Sequence, residues 1–187
     1  MRFSQGQNLR QIIPVVVTGT VGAGKSSFIR SVSDIAPVDT DRKATDETAL
    51  MKKKTTVAMD FGRLHLGNKI SVHLYGTPGQ SRFDFMWDIL IRRAAAYILL
   101  VDAHRPSDFR YARKILSFMK QRVNIPLIIG LTHTDCKGAW SKDNVAIALG
   151  FVDEKRRPPI VILNPTQRQS VVQLLTILVQ QVLQKAK

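Results

Sequence analysis

A glycine-rich run that ends in lysine and serine has the residue types and spacing of a phosphate-binding loop. It reads Gly19-Thr20-Val21-Gly22-Ala23-Gly24-Lys25-Ser26 and stands between an apolar strand pattern and a helical pattern. Glycines let the backbone wrap around a phosphate with its N–H groups inward, and the following helix N-terminus adds positive potential. Lys25 is expected to bridge the β- and γ-phosphates of a nucleotide, and the Ser26 hydroxyl to coordinate Mg²⁺. The predicted nucleotide contacts are Gly19, Val21, Gly22, Ala23, Gly24, Lys25, Ser26 and Ser27.

A carboxylate later in the chain indicates which base is bound. Asp135 follows the apolar run 127–132. Such a carboxylate can accept hydrogen bonds from guanine N1–H and N2–H₂, whereas adenine offers neither donor. A buried carboxylate left unpaired is costly, so Asp135 would reject ATP; its place beside the base is implied by the resemblance of residues 132–135 (THTD) to the base-reading motif of the small GTPases.

The elements that position these residues alternate between strand and helix patterns. A Gly67-Asn68 turn joins two strands into an antiparallel hairpin. The sequence therefore predicts an α/β fold of the P-loop NTPase kind in a single domain, 1–187. Its six-stranded sheet is mostly parallel, with one antiparallel edge hairpin and helices on both faces. Trp87 is expected in the core, with a contact face of the second switch as the alternative. Predicted strands are 12–18, 56–66, 70–75, 96–102, 127–132 and 160–163, and predicted helices are 25–32, 83–93, 108–123, 141–149 and 170–185.

Composition fits a folded domain with anionic partners. The 187 residues are 44% hydrophobic, which excludes wholesale disorder, and the net charge is +14. A single cysteine, Cys136, and the lack of a membrane-length apolar run favour the cytoplasm. Peripheral attachment at the inner face of the cell membrane is a second expectation. Basic residues form a stripe on the helix predicted over 108–123, called here the basic stripe: Arg110, Arg113, Lys114 and Lys120.

In their order, these motifs resemble the Ras/Arf-like small GTPases over nearly the whole chain. The closer resemblance is to bacterial Ras-like GTPases related to gliding-motility and polarity switches. The closer resemblance is carried by residues 55–62 (TTVAMDFG) and 74–83 (LYGTPGQSRF), and residues 132–135 (THTD) carry the base-reading motif. The resemblance implies a GTP-binding molecular switch that hydrolyses GTP to GDP with Mg²⁺. Loops 34–56 and 76–87 would signal the nucleotide state to partners.

The resemblance assigns roles to individual residues. Thr56, with Thr55 as the fallback, would bind Mg²⁺ together with Ser26 and meet the γ-phosphate. Gly79 would contact the γ-phosphate, and Gln80 would orient the attacking water. The implied catalytic set is Gln80, Lys25 and Thr56.

Three motifs depart from the family pattern. Gly76 stands where the family has an aspartate, for which Asp60 or a carboxylate in the first switch could compensate. In the base-reading motif, Thr132 can still bond toward the phosphate loop, while His133 replaces a lysine that lies over the guanine. The last base-contacting element falls at 164–166. There Pro165 has no backbone N–H to donate to the base. Thr166 would donate in its place if the register shifts by one.

Partners are expected through the switches and the charge. The resemblance implies that a GTPase-activating protein, for which a small roadblock-type protein is a candidate, and an effector read the switches. Arg42, Lys54 and Arg82 are candidates for an arginine finger supplied in cis. The alternative function is a nucleotide-dependent binding module with little hydrolysis that docks on RNA or an anionic membrane. The chain is expected to be a monomer or a weak dimer, with only weak membrane or nucleic-acid contact.

Overall fold

The chain folds as an alternation of strands and helices. The computed structural model describes residues 10–36, 59–78 and 85–186. Two short 3-10 helices, Pro106–Asp108 and Glu154–Arg156, lie in loops. The strands are β1 Gln11–Gly19, β2 Phe61–Leu66, β3 Ile70–Gly76, β4 Ala96–Asp102, β5 Leu127–Thr132 and β6 Ile160–Ile162. The helices are α1 Lys25–Val32, α2 Phe85–Ile91, α3 Phe109–Lys120, α4 Lys142–Ala148 and α5 Arg168–Lys185.

Six strands form one sheet in the order β2-β3-β1-β4-β5-β6. The edge pair β2–β3 is antiparallel and every other pair is parallel, which confirms the predicted fold class. Val17 on β1 faces Gly76 on β3, and Gly19 faces Leu100 on β4. The carboxyl ends of β1, β3, β4 and β5 therefore lie along one edge, where ligands bind in open α/β sheets.

Both faces of the sheet are covered, because the parallel strands are apolar on both sides. Helices α1 and α5 pack on one face, with Phe28 and Leu174 fully buried. The α2, α3 and α4 helices cover the other face, and Trp87 is fully buried there between the rings of Tyr111 and Phe118. The prediction that Trp87 packs in the core is thus confirmed.

Element boundaries follow the local signals. Ser141 caps α4, its hydroxyl accepting a hydrogen bond from the backbone N–H of Asn144 at 3.3 Å. β2 begins at Phe61, whereas residues 56–58 of the predicted strand lie outside the described residues. No helix in the described ranges has the length and apolar character needed to span a bilayer.

Candidate functional site

The phosphate loop connects β1 to α1 at the carboxyl edge of the sheet. Three of its glycines adopt positive φ angles, 147° at Gly19, 79° at Gly22 and 94° at Gly24. A methyl group on Gly19 would lie 2.3 Å from the Leu100 carbonyl oxygen, and one on Gly24 would lie 2.7 Å from Pro165 Cγ. Only glycine fits these positions, so the backbone conformation itself requires the spacing found in the sequence.

Lys25, the first residue of α1, is buried beneath this loop. Its ammonium donates hydrogen bonds to the carbonyls of Gly19 at 2.9 Å and Thr20 at 2.6 Å. Burial lowers the pKa of Lys25 from its usual 10.5 to about 8, and the nearby Asp60 carboxylate opposes part of that shift. Lys25 therefore stays mostly charged at neutral pH and is held where a phosphate in the loop would meet it.

The Ser26 hydroxyl and the Asp60 carboxylate lie side by side next to the loop, and their oxygens are of the kind that could hold Mg²⁺. The Ser26 hydroxyl donates to Asp60 Oδ2 at 2.6 Å, and Gly76 N–H donates to the Asp60 carbonyl at 2.8 Å. A methyl group on Gly76 would lie 3.0 Å from Asp60 Cβ and 3.3 Å from Oδ2. Gly76 thus leaves the space that the Asp60 carboxylate uses. The carboxylate expected at the end of β3 is instead delivered from the residue before β2.

The predicted base-reading residues 132–135 begin at the end of β5, and the first of them is hydrogen-bonded to the phosphate loop. The Thr132 hydroxyl donates to the Ala23 carbonyl at 3.2 Å, as its position in the sequence suggested. His133 adopts φ 55°, and its Nδ1 lies 3.0 Å from Thr132 Oγ1 and 3.4 Å from Asp102 Oδ2. Asp135 follows in an exposed turn. This differs from the buried carboxylate that the base-rejection argument assumed, because the turn after β5 projects from the sheet edge.

The loop after β6 closes the site on the other side of the phosphate loop. Pro165 is buried against Gly24. Thr166 is exposed, and both its backbone N–H and its hydroxyl bond to Asn164 Oδ1, at 3.0 and 2.7 Å. Pro165 therefore packs on the phosphate loop, whereas the Thr166 N–H, predicted to replace the base contact that Pro165 lacks, is donated to Asn164.

Several predicted residues cannot be placed. Thr56, Gly79 and Gln80 lie outside the described residues, as do the cis-finger candidates Arg42, Lys54 and Arg82. Within the described ranges, no three or more His, Cys, Asp or Glu side chains gather as a metal site. The roles assigned to Thr56, Gly79 and Gln80 stay predictions.

One polar cluster beside the loop has no counterpart in the motif analysis. Asp102 ends β4 and is only 4% exposed. Its carboxylate meets the side chains of Arg105 and His133. Neither Asp102 nor Arg105 falls within a nucleotide-binding motif, and the only sequence signal was an aspartate at the end of a buried strand.

The fold and this arrangement define a P-loop protein with the fold of the Ras/Arf-like small GTPases. A solved structure of the Arl6 BBS3 small GTPase from Trypanosoma brucei with bound GppNp superposes with a TM-score of 0.71 and 16% identity. The match covers 93% of this chain and 99% of that one. At this identity the likeness establishes the fold.

The chain belongs to the family described as "Conserved hypothetical ATP binding protein", whose model matches residues 38–184. That range begins after the phosphate loop. The chain is 30% identical over 124 residues to "Uncharacterized protein MJ1339" of Methanocaldococcus jannaschii, covering 66% of this chain and 71% of that protein. It is 26% identical over 99 residues to ADP-ribosylation factor-like protein 8b of Arabidopsis thaliana, covering 51% of this chain and 53% of that protein. These relatives come from an archaeon and a plant, so the narrower resemblance to bacterial GTPases stays a prediction.

Proposed function

We propose that the protein is a guanine-nucleotide-dependent switch that binds Mg²⁺ and hydrolyses GTP to GDP. One observation carries the proposal. The phosphate loop, the Ser26–Asp60 pair and the Thr132–Asp135 turn occupy one sheet edge in a small-GTPase fold. Phosphate, metal and base would therefore be held by one rigid frame.

Phosphate binding is supported by the preformed loop. Lys25 already lies beneath the loop with its ammonium on two loop carbonyls. The loop glycines bring backbone N–H groups close to a bound phosphate at the start of α1. Binding thus requires little reorganisation of the loop, which favours affinity.

Mg²⁺ would be held by Ser26 and Asp60, with Thr56 added from the first switch. Hydroxyl and carboxylate oxygens are the ligands that Mg²⁺ prefers, directly or through water. The 2.6 Å contact between the Ser26 hydroxyl and the Asp60 carboxylate brings both groups together beside the loop, where one ion could bind them. When bound, the ion neutralises charge on the β- and γ-phosphate oxygens.

Guanine specificity is proposed from Asp135. The exposed carboxylate stands in the turn after β5, beside His133. A guanine edge presents two donors to it and an adenine edge presents none. The description of the family as ATP-binding favours the other base. Direct comparison of GDP and ADP therefore decides this part of the proposal.

Signalling would follow from the switch loops, residues 34–56 and 76–87. A γ-phosphate orders such loops in proteins of this fold class, and hydrolysis releases them. An activating protein, with the roadblock type as a candidate, and an effector would bind there. Contact with anionic membrane or nucleic acid through the basic surface would be weak and peripheral.

Single-turnover hydrolysis tests the proposal. Protein loaded with GTP and Mg²⁺ is expected to release phosphate at a rate on the order of 10⁻⁴ s⁻¹. Gln80→Leu should slow this release while GTP affinity changes by only a few-fold, because Gln80 would position water and not the nucleotide. Lys25→Ala, purified in parallel, is the control for a contaminating phosphatase, since it should neither bind nor hydrolyse GTP.

Two results would contradict the enzymatic assignment. GTP that binds but stays intact for many hours would favour the alternative, a nucleotide-dependent binding module. Phosphate release that persists unchanged in the Lys25→Ala preparation would show that the activity is not this protein's.

A further inference from the structure

We propose that Arg105 binds the nucleotide phosphates from the loop after β4, with Asp102 as the residue that positions it. This inference rests on the proposed nucleotide binding and names a ligand-binding arginine outside the phosphate loop. It concerns the phosphates that GDP and GTP share.

The Arg105 guanidinium lies over the middle of the phosphate loop. A methyl group placed on Gly22 would be 3.0 Å from Arg105 Nη1 and 3.9 Å from Nη2. Gly22 belongs to the part of the loop that cradles the α- and β-phosphates. The Arg105 side chain is 55% exposed, so it is not sealed off from a ligand by the protein.

Asp102 holds both the turn after β4 and the Arg105 side chain that extends from it. Its Oδ1 accepts a hydrogen bond from His104 N–H at 2.9 Å, which holds the turn after β4. Its Oδ2 lies 3.5 Å from Arg105 Nε. The carboxylate lies beside Nε, and Nη1 is the guanidinium atom nearest to the Gly22 position.

The same carboxylate anchors the base-reading side. His133 Nδ1 lies 3.4 Å from Asp102 Oδ2. Asp102 therefore contacts both Arg105, next to the phosphate loop, and the turn that carries Asp135.

The guanidinium of Arg105 is suited to phosphate, because a planar guanidinium presents paired N–H donors to phosphate oxygens, which a lysine cannot reproduce.

Calorimetric titration of GDP and GppNp into Mg²⁺-containing protein tests the role of Arg105. Arg105→Ala should weaken both ligands by about tenfold or more, the size of effect typical of a hydrogen bond to a charged group. The loss should be equal for the two ligands, because the contact is to phosphates they share. Arg105→Lys should recover only part of it.

Arg110→Ala is the matched control. Arg110 is exposed on α3, and its removal changes the net charge by the same amount. Its affinity for GDP should stay within about twofold of wild type, since screening at physiological salt limits a distant charge.

Asp102→Asn tests the positioning role. It should weaken GDP binding in the wild-type background and have little further effect in Arg105→Ala, because it acts through that arginine. An equal loss in both backgrounds would show that Asp102 acts through the fold or through His133 and not through Arg105. Thermal melts of the unliganded variants separate folding defects from binding defects.

Other outcomes overturn the inference about Arg105, the guanine assignment, or both. Unchanged affinity in Arg105→Ala, or an equal loss in Arg110→Ala, would remove the specific contact. A loss confined to GppNp would place Arg105 on the γ-phosphate instead. If wild type prefers ADP, the guanine assignment fails while the Arg105 effect persists with ADP. If wild type binds no nucleotide, both proposals fall.

Discussion

Nucleotide binding should become coupled to proton uptake as the pH rises through 8. Burial lowers the pKa of Lys25 in the free protein to about 8. Phosphate oxygens placed against its ammonium favour the charged form and should return the pKa toward its usual value. Neutral Lys25 must therefore take up a proton when GDP binds.

The magnitude follows from the pKa near 8. About 0.24 of the Lys25 side chains are neutral at pH 7.5 and about 0.76 at pH 8.5. GDP binding should thus take up about half a proton more at the higher pH. The affinity for GDP should fall about threefold over the same interval.

Titration calorimetry in two buffers of different ionisation enthalpy measures this uptake directly. Lys25→Arg is the control, because arginine stays charged throughout this pH range and its binding should be independent of buffer. Proton uptake by wild type that is equal at pH 7.5 and 8.5 would refute the reasoning. So would the same rise in uptake in Lys25→Arg.

The stability of the free protein should rise with pH, whereas its affinity for GDP falls. Between pH 8 and 10.5 the unfolded chain keeps the Lys25 proton while the folded chain loses it, so stability rises with pH. The shift from 10.5 to about 8 corresponds to a gain of about 3 kcal/mol at most. Urea titrations of wild type at pH 7.5 and 9.5 should show a gain that is absent in Lys25→Met. Loss of stability over this range in wild type alone would contradict the burial of a charged lysine.

Three further predictions rest on other parts of the structure. Asp60→Asn should raise the Mg²⁺ concentration needed for GTP binding about tenfold while GTP affinity at saturating Mg²⁺ changes little; an unchanged Mg²⁺ requirement would remove Asp60 from the metal site. Gly19→Ala should destabilise the fold by roughly 2 kcal/mol or more. Gly67 also has a positive φ but has open space around its methyl position, so Gly67→Ala should cost about 1 kcal/mol. Equal urea midpoints for the two variants would contradict the steric account. Charge reversal of the first three residues of the basic stripe should weaken salt-sensitive pelleting with anionic vesicles without changing GDP affinity, and salt-resistant pelleting would exclude an electrostatic contact.

The sequence was sufficient to predict the fold because its signals are local. Apolar runs such as 96–102 and 127–132 match β4 and β5 residue for residue, since a strand covered on both faces must be apolar throughout. The phosphate loop was predictable for the same reason, because the positive φ angles and close approaches that require its glycines all fall within eight residues. The helix predicted over 108–123 ends at Lys120 instead, because helix ends depend on contacts with neighbouring loops.

The rest of the site depends on contacts between distant segments. Ser26 and Asp60 are 34 residues apart, so the sequence could offer Asp60 only as one of several carboxylates near the metal. Arg105 meets Gly22 because two separate loops converge at the sheet edge. No pattern in a single chain encodes such a meeting. The exposure of Asp135 likewise follows from how its turn leaves the sheet.

The affinity of the purified protein for GDP relative to ADP, each titrated with Mg²⁺, tests the central claim most directly. We expect GDP to bind at least about 100-fold more tightly, because guanine donates two hydrogen bonds to the Asp135 carboxylate and adenine donates none, and a hydrogen bond to a charged group contributes about 1.5–3 kcal/mol. Asp135→Asn should lower the affinity for GDP and raise that for the xanthine nucleotide, whose 2-oxo group accepts from an amide. Equal affinities for GDP and ADP, or a preference for ADP, would contradict the assignment of this protein as a guanine-nucleotide switch.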